Sequence, residues 1–319
     1  MFIKDCKTLK KNISVEIKVT DRCNLDCFHC VNNDCPDHGK DLDAGLFVEK
    51  LARWVDNQGS SSYMITEVRM TGGEPLLNLH TVTEIARTCC SLGIQSGINT
   101  NATLLDAPTA RLLKKSGLEI VKISFDSIDE TTLRQIRGPR ASLAKTITGI
   151  HTAVENGFHV ILRYTLCSFN RDQLVACYRM AREIGVEKFQ VKPLIRAGRA
   201  IGSSGFLSRE ELCRAFEELA VIVNGPIARP EILCWPSKDT TSLTVKACAG
   251  INKIYFSTSY KAYFCNYLPW TDEIGDLTRD TLEDLLQRRS IKVCEGRSSY
   301  PLLTGCRQIE YLSAGTNAF

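Results

Sequence analysis

The chain has 319 residues, a formal net charge of +4, and is 44% hydrophobic and 24% charged. That composition belongs to a folded globular protein, long enough for one barrel-sized domain and a smaller one. The densest basic cluster, Lys7–Lys11, is short and interrupted, so nucleic acid is not an expected partner. No apolar run approaches the roughly 20 residues that a bilayer requires.

Met1–Asn12 is charged, with no apolar core and no small-residue cleavage site after it, which points to a cytoplasmic location. From there, short β-rich runs alternate with amphipathic stretches. Ile13–Val19 reads as a strand, and Leu46–Asn57 as a helix with Phe47, Leu51, Trp54 and Val55 on one face. Thr66–Thr71 and Gln95–Asn99 read as strands, and Leu79–Leu92 and Ala107–Lys115 as helices. Leu118–Phe125 is a near-continuous apolar strand, followed by a helix over Ser142–Asn156. Phe158–Leu166 and Lys188–Leu194 are the fifth and sixth strands, flanking a helix over Asp172–Ile184. Gly93, Gly117, Gly157 and Gly185 fall at helix ends, where a left-handed residue closes the last turn. Six strand–helix units predict an α/β fold with a parallel sheet, a partial (β/α)6 TIM-like barrel. Ala197–Gly205 reads as a linker, which divides the chain into 1–200 and 201–319. Ser208 and Glu211 form a capping box for a helix running to about Val223, and the remainder is shorter and loopier.

Fifteen cysteines in a cytosolic chain need an explanation other than disulfides, because thiols there stay reduced. Cys23, Cys27 and Cys30 are spaced by three and then two residues, directly after the first strand. Thiolates on such a loop can converge on an iron–sulfur cubane, which takes four ligands. Three ligands leave one position open, as a catalytic metal site does. The alternative is a structural zinc knuckle completed by His29 or Cys35. After the second strand comes Gly72-Gly73-Glu74-Pro75: two glycines that permit close backbone approach, a carboxylate for a cationic ammonium, and a stiff exit.

Thr20–Cys27 resembles the cluster loop of the radical S-adenosylmethionine (radical SAM) superfamily, and Gly72–Pro75 resembles that family's second signature. The resemblance implies a [4Fe–4S] cluster on Cys23, Cys27 and Cys30 that binds and reductively cleaves S-adenosylmethionine. The resulting 5′-deoxyadenosyl radical would remove a hydrogen atom from substrate, with the electron supplied by flavodoxin or ferredoxin. Asn101, in Thr100-Asn101-Ala102, and Ser124, in Ser124-Phe125-Asp126, resemble further cofactor contacts. Arg137 is expected to clamp the cofactor carboxylate through its planar fork. His29 stands where the family has an aromatic near the adenine, and Ala102 where it has glycine. Asp126, Tyr164 and Lys192 are candidates for catalytic roles.

The C-terminal third resembles a SPASM/twitch auxiliary-cluster extension, a small α+β iron–sulfur domain. Carried over, its ligands are Cys234, Cys248, Cys265 and Cys306, with Cys294 competing for the fourth place, and they would hold a second [4Fe–4S] cluster. The hairpin's usual glycine, five residues before Cys265, is Tyr260. Cys6, Cys89, Cys90, Cys167, Cys177 and Cys213 read as ordinary thiols. The barrel also resembles that of GTP cyclases of molybdenum-cofactor synthesis, whose C-terminal cysteine spacing and glycine-rich tail this chain lacks. Relatives with the extension act on sugars, aminocyclitols, nucleotides or ribosomal peptides. About a dozen residues precede the first strand, little for a leader-binding domain, so a small-molecule substrate is expected, a peptide is the alternative, and a non-catalytic iron–sulfur redox or sensor protein is the second alternative.

Overall fold

The computed structural model describes residues 10–32, 39–59, 61–195, 197–223, 229–233, 244–246, 253–263 and 273–299. Cys234, Cys248, Cys265 and Cys306 lie outside them.

Strands and helices alternate in the order β1 (Lys11–Thr20), α1 (Ala44–Asp56), β2 (Tyr63–Gly72), α2 (Leu79–Ser91), β3 (Gln95–Thr100), α3 (Ala107–Lys115) and β4 (Ile120–Ser124). Next come α4 (Glu130–Arg137), α5 (Leu143–Glu155), β5 (His159–Leu166), α6 (Leu174–Ile184), β6 (Lys188–Pro193) and α7 (Arg209–Ile222). Strands β1 to β6 pair in parallel and in chain order, as the alternation predicts. Their apolar residues, such as Ile13, Val15, Ile17 and Val19 on β1, face helices whose buried stripes include Phe47 and Leu51. Caps fix the helix starts: Asp43, Asp106, Asp129, Ser142 and Ser208 each accept from a first-turn amide.

The sheet continues beyond the six predicted strands. β7 (Arg229–Leu233) and β8 (Thr244–Lys246) extend it in parallel from β6. On the other side, β9 (Lys253–Phe256) pairs in parallel with β1. β10 (Lys261–Tyr263) and β11 (Glu273–Asp276) follow antiparallel, and α8 (Leu282–Ser299) closes the described chain, with Cys294 along it. The order is β11-β10-β9-β1-β2-β3-β4-β5-β6-β7-β8. Residues from β9 through β6 line one cavity, so the sheet is curled around it.

Ala197–Gly205, read from sequence as a linker, is instead packed against the cysteine loop. Gly198–Ala200 is a 3₁₀ turn, and Arg199 N–H donates to Cys30 O at 3.0 Å. A Cβ on Gly198 would collide with that same carbonyl. Phe28 packs with Phe169, Phe206, Ile136, Leu194 and Ala200 in a separate apolar cluster.

Two described non-glycine residues have left-handed backbone, Ala102 (φ 61°) and Tyr260 (φ 63°). They are the two positions where the resemblance expects glycine, so the backbone has kept the glycine conformation without the glycine. An L-residue there costs roughly 1–2 kcal/mol, while glycine loosens the unfolded chain by about 0.4–1 kcal/mol. Loss of the buried Ala102 methyl, about 0.8 kcal/mol, offsets part of the gain, so Ala102→Gly is expected to raise thermal stability by at most about 1 kcal/mol, and Ala102→Val to lower it. A melting curve that ranks valine above glycine would contradict this.

Candidate functional site

The loops at the C-terminal ends of the parallel strands converge on a cavity of about 440 Å³. Cys23, Cys27 and Cys30 line it, together with Gly72, Gly73 and Glu74. Asn101, Ser124, Arg137, His29 and Lys192 line it as well. Parallel sheets gather ligands at this end because the loops there splay apart around a crevice.

The cysteine loop is held from three directions. Asp26 and Phe28 amides donate to Arg137 O and Ile136 O, at 3.1 and 3.0 Å, the last turn of α4. Asn24 accepts from Asn101 Nδ2 at 2.9 Å and donates to Thr103 Oγ1 at 2.8 Å, which ties the loop to the end of β3. From β2, Gly73 N–H donates to Thr20 O and Glu74 N–H to Arg22 O, both at 2.8 Å. A Cβ on Gly72 would strike Thr20 O, and one on Gly73 would strike Arg22 O. The glycines thus let two chain segments touch, whereas the sequence suggested close approach to a ligand.

Glu74 is 1% exposed. Thr100 Oγ1 donates to its Oε1 at 2.6 Å and Asn101 N–H to its Oε2 at 2.8 Å. Pro75 follows it, buried, at the first position of the 3₁₀ turn that Glu74 caps. Burial pushes the Glu74 carboxyl up to about 7 against those hydrogen bonds. A raised folded-state value means that this group's stability contribution declines as pH rises through about 7.

Arg137 is buried, 7% exposed, rather than a solvated helix end. Its guanidinium pairs with Asp126, and its Nη1 lies 3.9 Å from Cys27 Sγ. Thr165 N–H donates to the other Asp126 oxygen at 2.8 Å, and Asn170 Nδ2 to the Asp126 carbonyl at 2.9 Å. Burial raises the Cys23 thiol and pushes Cys27 up to about 11, with Arg137 opposing. Any metal taken by these thiols would displace their protons, so its binding would strengthen with pH.

His29 Nε2 stands 3.8 Å from Asp126 Oδ2, and its Nδ1 is buried without a hydrogen-bond partner. Burial pushes the His29 imidazole down to about 4. It is neutral at working pH and resembles the aromatic residue it replaces. His29→Phe is expected to keep cofactor cleavage and leave its pH profile between about 6 and 8 unchanged; a lost basic limb in the profile would show that the imidazole titrates in the reaction.

Tyr164 is also among the cavity-lining residues, but its side chain is engaged elsewhere. Strand alternation turns it toward the helices, where it packs on Phe189, and its hydroxyl donates to Asn170 O at 2.6 Å. Asn170, 1% exposed, and Asn24 have no sequence signal of their own, yet they fix the geometry around Asp126 and the cysteine loop. Arg199 was also missed; it pairs with Asp26 inside the loop. The thiols of Cys89, Cys167 and Cys177 are buried and unbridged, as ordinary core cysteines are.

Fit to an iron–sulfur cluster can be judged from the side chains. Three cysteines sit with a buried guanidinium beside one sulfur, and two orphaned nitrogens, Arg137 Nε and His29 Nδ1, lie at the same cavity. Among the described residues no three His, Cys, Asp or Glu surround a single metal ion. Cys35, one of the two candidate fourth ligands of a zinc knuckle, lies outside the described residues, and a cubane would spread three thiolates over separate irons.

The family model for the radical SAM superfamily matches residues 17–181. The chain belongs to that superfamily. Its members use a [4Fe–4S] cluster with S-adenosylmethionine, and the protein is a radical SAM enzyme. Over 183 residues it is 30% identical to Fe-coproporphyrin III synthase of Methanosarcina barkeri, covering 57% of this chain and 44% of that one. Over 191 residues it is 31% identical to GTP 3′,8-cyclase of Xanthomonas axonopodis pv. citri, covering 59% and 52%. These alignments span about half the length of the curated relatives. The fold matches Streptococcus suis SuiB bound to precursor peptide SuiA, with TM-score 0.69 and 15% identity over 87% of this chain and 65% of that one. Among the described residues no helix is long and apolar enough to cross a membrane.

Proposed function

We infer that Cys23, Cys27 and Cys30 hold the [4Fe–4S] cluster and that the adjoining cavity binds S-adenosylmethionine. One observation carries the assignment: the cysteine loop and Gly72–Glu74 are locked together by backbone hydrogen bonds at the mouth of a single cavity. When bound, the cluster and S-adenosylmethionine supply a 5′-deoxyadenosyl radical, which removes a hydrogen atom from substrate. The chain's own residues orient and enclose. Asn101, Ser124 and His29 line the cofactor wall, and Glu74 braces β2 against β3. Arg137 is committed to Asp126 and Cys27, so it acts on the cofactor by charge as much as by clamping.

The substrate is a small molecule of sugar, aminocyclitol or nucleoside type, and the electron comes from flavodoxin or ferredoxin. SuiB, whose fold this chain shares, is known bound to a precursor peptide, which supports a ribosomal-peptide substrate as the second reading. A partial barrel over 1–200 is followed by an auxiliary-cluster domain over 201–319 that uses Cys248, Cys265 and Cys306 with Cys234, or Cys294 in its place. The left-handed Tyr260 in the β9–β10 hairpin, where that extension has glycine, supports this part.

Anaerobic reduction of the reconstituted enzyme with S-adenosylmethionine should release 5′-deoxyadenosine; none, with a loaded cluster, would sink the assignment. Iron is expected near eight per chain, about four per cubane. About four would remove the auxiliary cluster.

A further inference from the structure

Cations line several parts of the cavity, Lys18, Arg137, Arg140 and Arg199 among them, but one stretch of its wall carries them without carboxylates. Strands β4, β5 and β6 contain Lys122, Arg163, Lys188 and Lys192 and no Asp or Glu. Alternation puts Lys122, Ser124, Arg163, Thr165, Gln190 and Lys192 on the cavity side, opposite Tyr164 and Phe189. Ser124 is in register with Arg163, and Thr165 with Lys192, so Arg163 and Lys192 are diagonal neighbours on adjacent strands. Such neighbours are roughly 7–8 Å apart, within reach of one small ligand. Both line the cavity that also holds the cysteines.

The described carboxylates around this cavity are engaged with other groups. Asp21 pairs with Lys18, and Asp26 with Arg199. Glu16 lies 4.0 Å from Lys253, Asp126 pairs with Arg137, and Glu74 binds Thr100 and Asn101. The asymmetry is one of charge and not of missing partners, since Arg163 and Lys192 also have contacts within the chain. Deeper on the same face, burial and then the like charges of Arg69, Arg163 and Lys253 hold the Lys122 ammonium well below its ordinary value, with Glu67 opposing. Concentrated positive charge in a wall of low dielectric is unfavourable until an anion joins it.

We propose that the β4–β6 wall, through Arg163 and Lys192, binds an anionic group, phosphate or carboxylate, of a small-molecule substrate, and so holds the rest of it toward the cysteine end. This rests on the cavity being the substrate site of the radical SAM enzyme. Two cationic side chains on adjacent strands set the position of the anion, and Glu16 and Tyr255 stand at the same cavity on the β1 and β9 side for the uncharged end.

The test is anaerobic calorimetry on the reconstituted holoenzyme with S-adenosylmethionine, using inorganic phosphate and malonate as probes. The expected result is binding of at least one anion with Kd of about 1 mM or tighter. Arg163→Gln and Lys192→Gln should each weaken it by about tenfold or more, while Lys192→Arg preserves it. Phosphate alone binding assigns a phosphate ester, and malonate alone a carboxylate. If Arg163→Gln does not fold, Lys192→Gln against Lys192→Arg decides. Wild-type protein that binds neither anion, or variants that bind as well as wild type, would overturn the proposal. Release of 5′-deoxyadenosine by the same wild-type sample is scored separately: its loss with anion binding intact strikes the enzyme assignment, and the reverse strikes only the anion site.

Discussion

Replacing any one of Cys23, Cys27 or Cys30 by alanine is expected to abolish 5′-deoxyadenosine formation while leaving most of the fold in place. The loop is anchored by backbone contacts to Arg137 O and Ile136 O and by the side-chain contact between Asn24 and Asn101, none of which passes through a sulfur. Two thiolates cannot hold an open-site cubane. Changes in the outer shell of a metal site cost about 10–100-fold, so removal of a direct ligand should exceed about 100-fold. Iron should fall by about four per chain, with the far-ultraviolet spectrum unchanged. Wild-type cleavage by any of the three variants would remove that cysteine from the cluster.

The second large effect is expected at Gly73, where the change adds one methyl group. Its Cβ would fall on the backbone of Arg22 and Asp21, which cannot swing aside as a long side chain would. Gly73→Ala must therefore push the cysteine loop off the end of β2 and stretch the 2.8 Å bonds at Thr20 and Arg22. The expected cost is about 2–4 kcal/mol of stability, together with loss of cofactor cleavage, because the two signature loops no longer meet. Gly45→Ala is the control: it sits in the first turn of α1 with only the flexible Asp43 carboxylate near the new methyl. It should melt at or above the wild-type temperature. Equal melting of Gly73→Ala and wild type would mean that the loops are not braced through this contact.

The sequence was most legible where one physical signal dominated. The run Leu118–Phe125 carries Val121, Ile123 and Phe125 on the face that packs in the core and Lys122 and Ser124 on the other, and it became β4. Ser142 and Ser208 announced helix starts that the structure keeps. The helix Glu130–Arg137 was not read, because eight residues with two buried apolar positions, Leu133 and Ile136, carry too little periodicity. The short strands after residue 223 gave no alternation long enough to identify. Long-range pairing was hidden for a different reason: nothing in Gly198-Arg199 says that Cys30 is its neighbour, and nothing in Asp126 says that it will take the guanidinium expected for a ligand. The two signature motifs were visible as text, but the reason for their glycines appeared only when the loops were seen in contact.

β1 is neither first nor last in the sheet, although it comes first in the chain. One flank pairs with β2, the next strand in the chain, and the other with β9, beginning at Lys253. During synthesis the first flank is covered early and the second must wait for most of the polypeptide. Until then the strand that leads into the cysteine loop presents open amides and carbonyls along Ser14–Ile17, a template for pairing with another chain. Assembly of the cluster loop is thus tied to a late event, and a chain stopped after α7 would keep its cysteines on an unprotected edge.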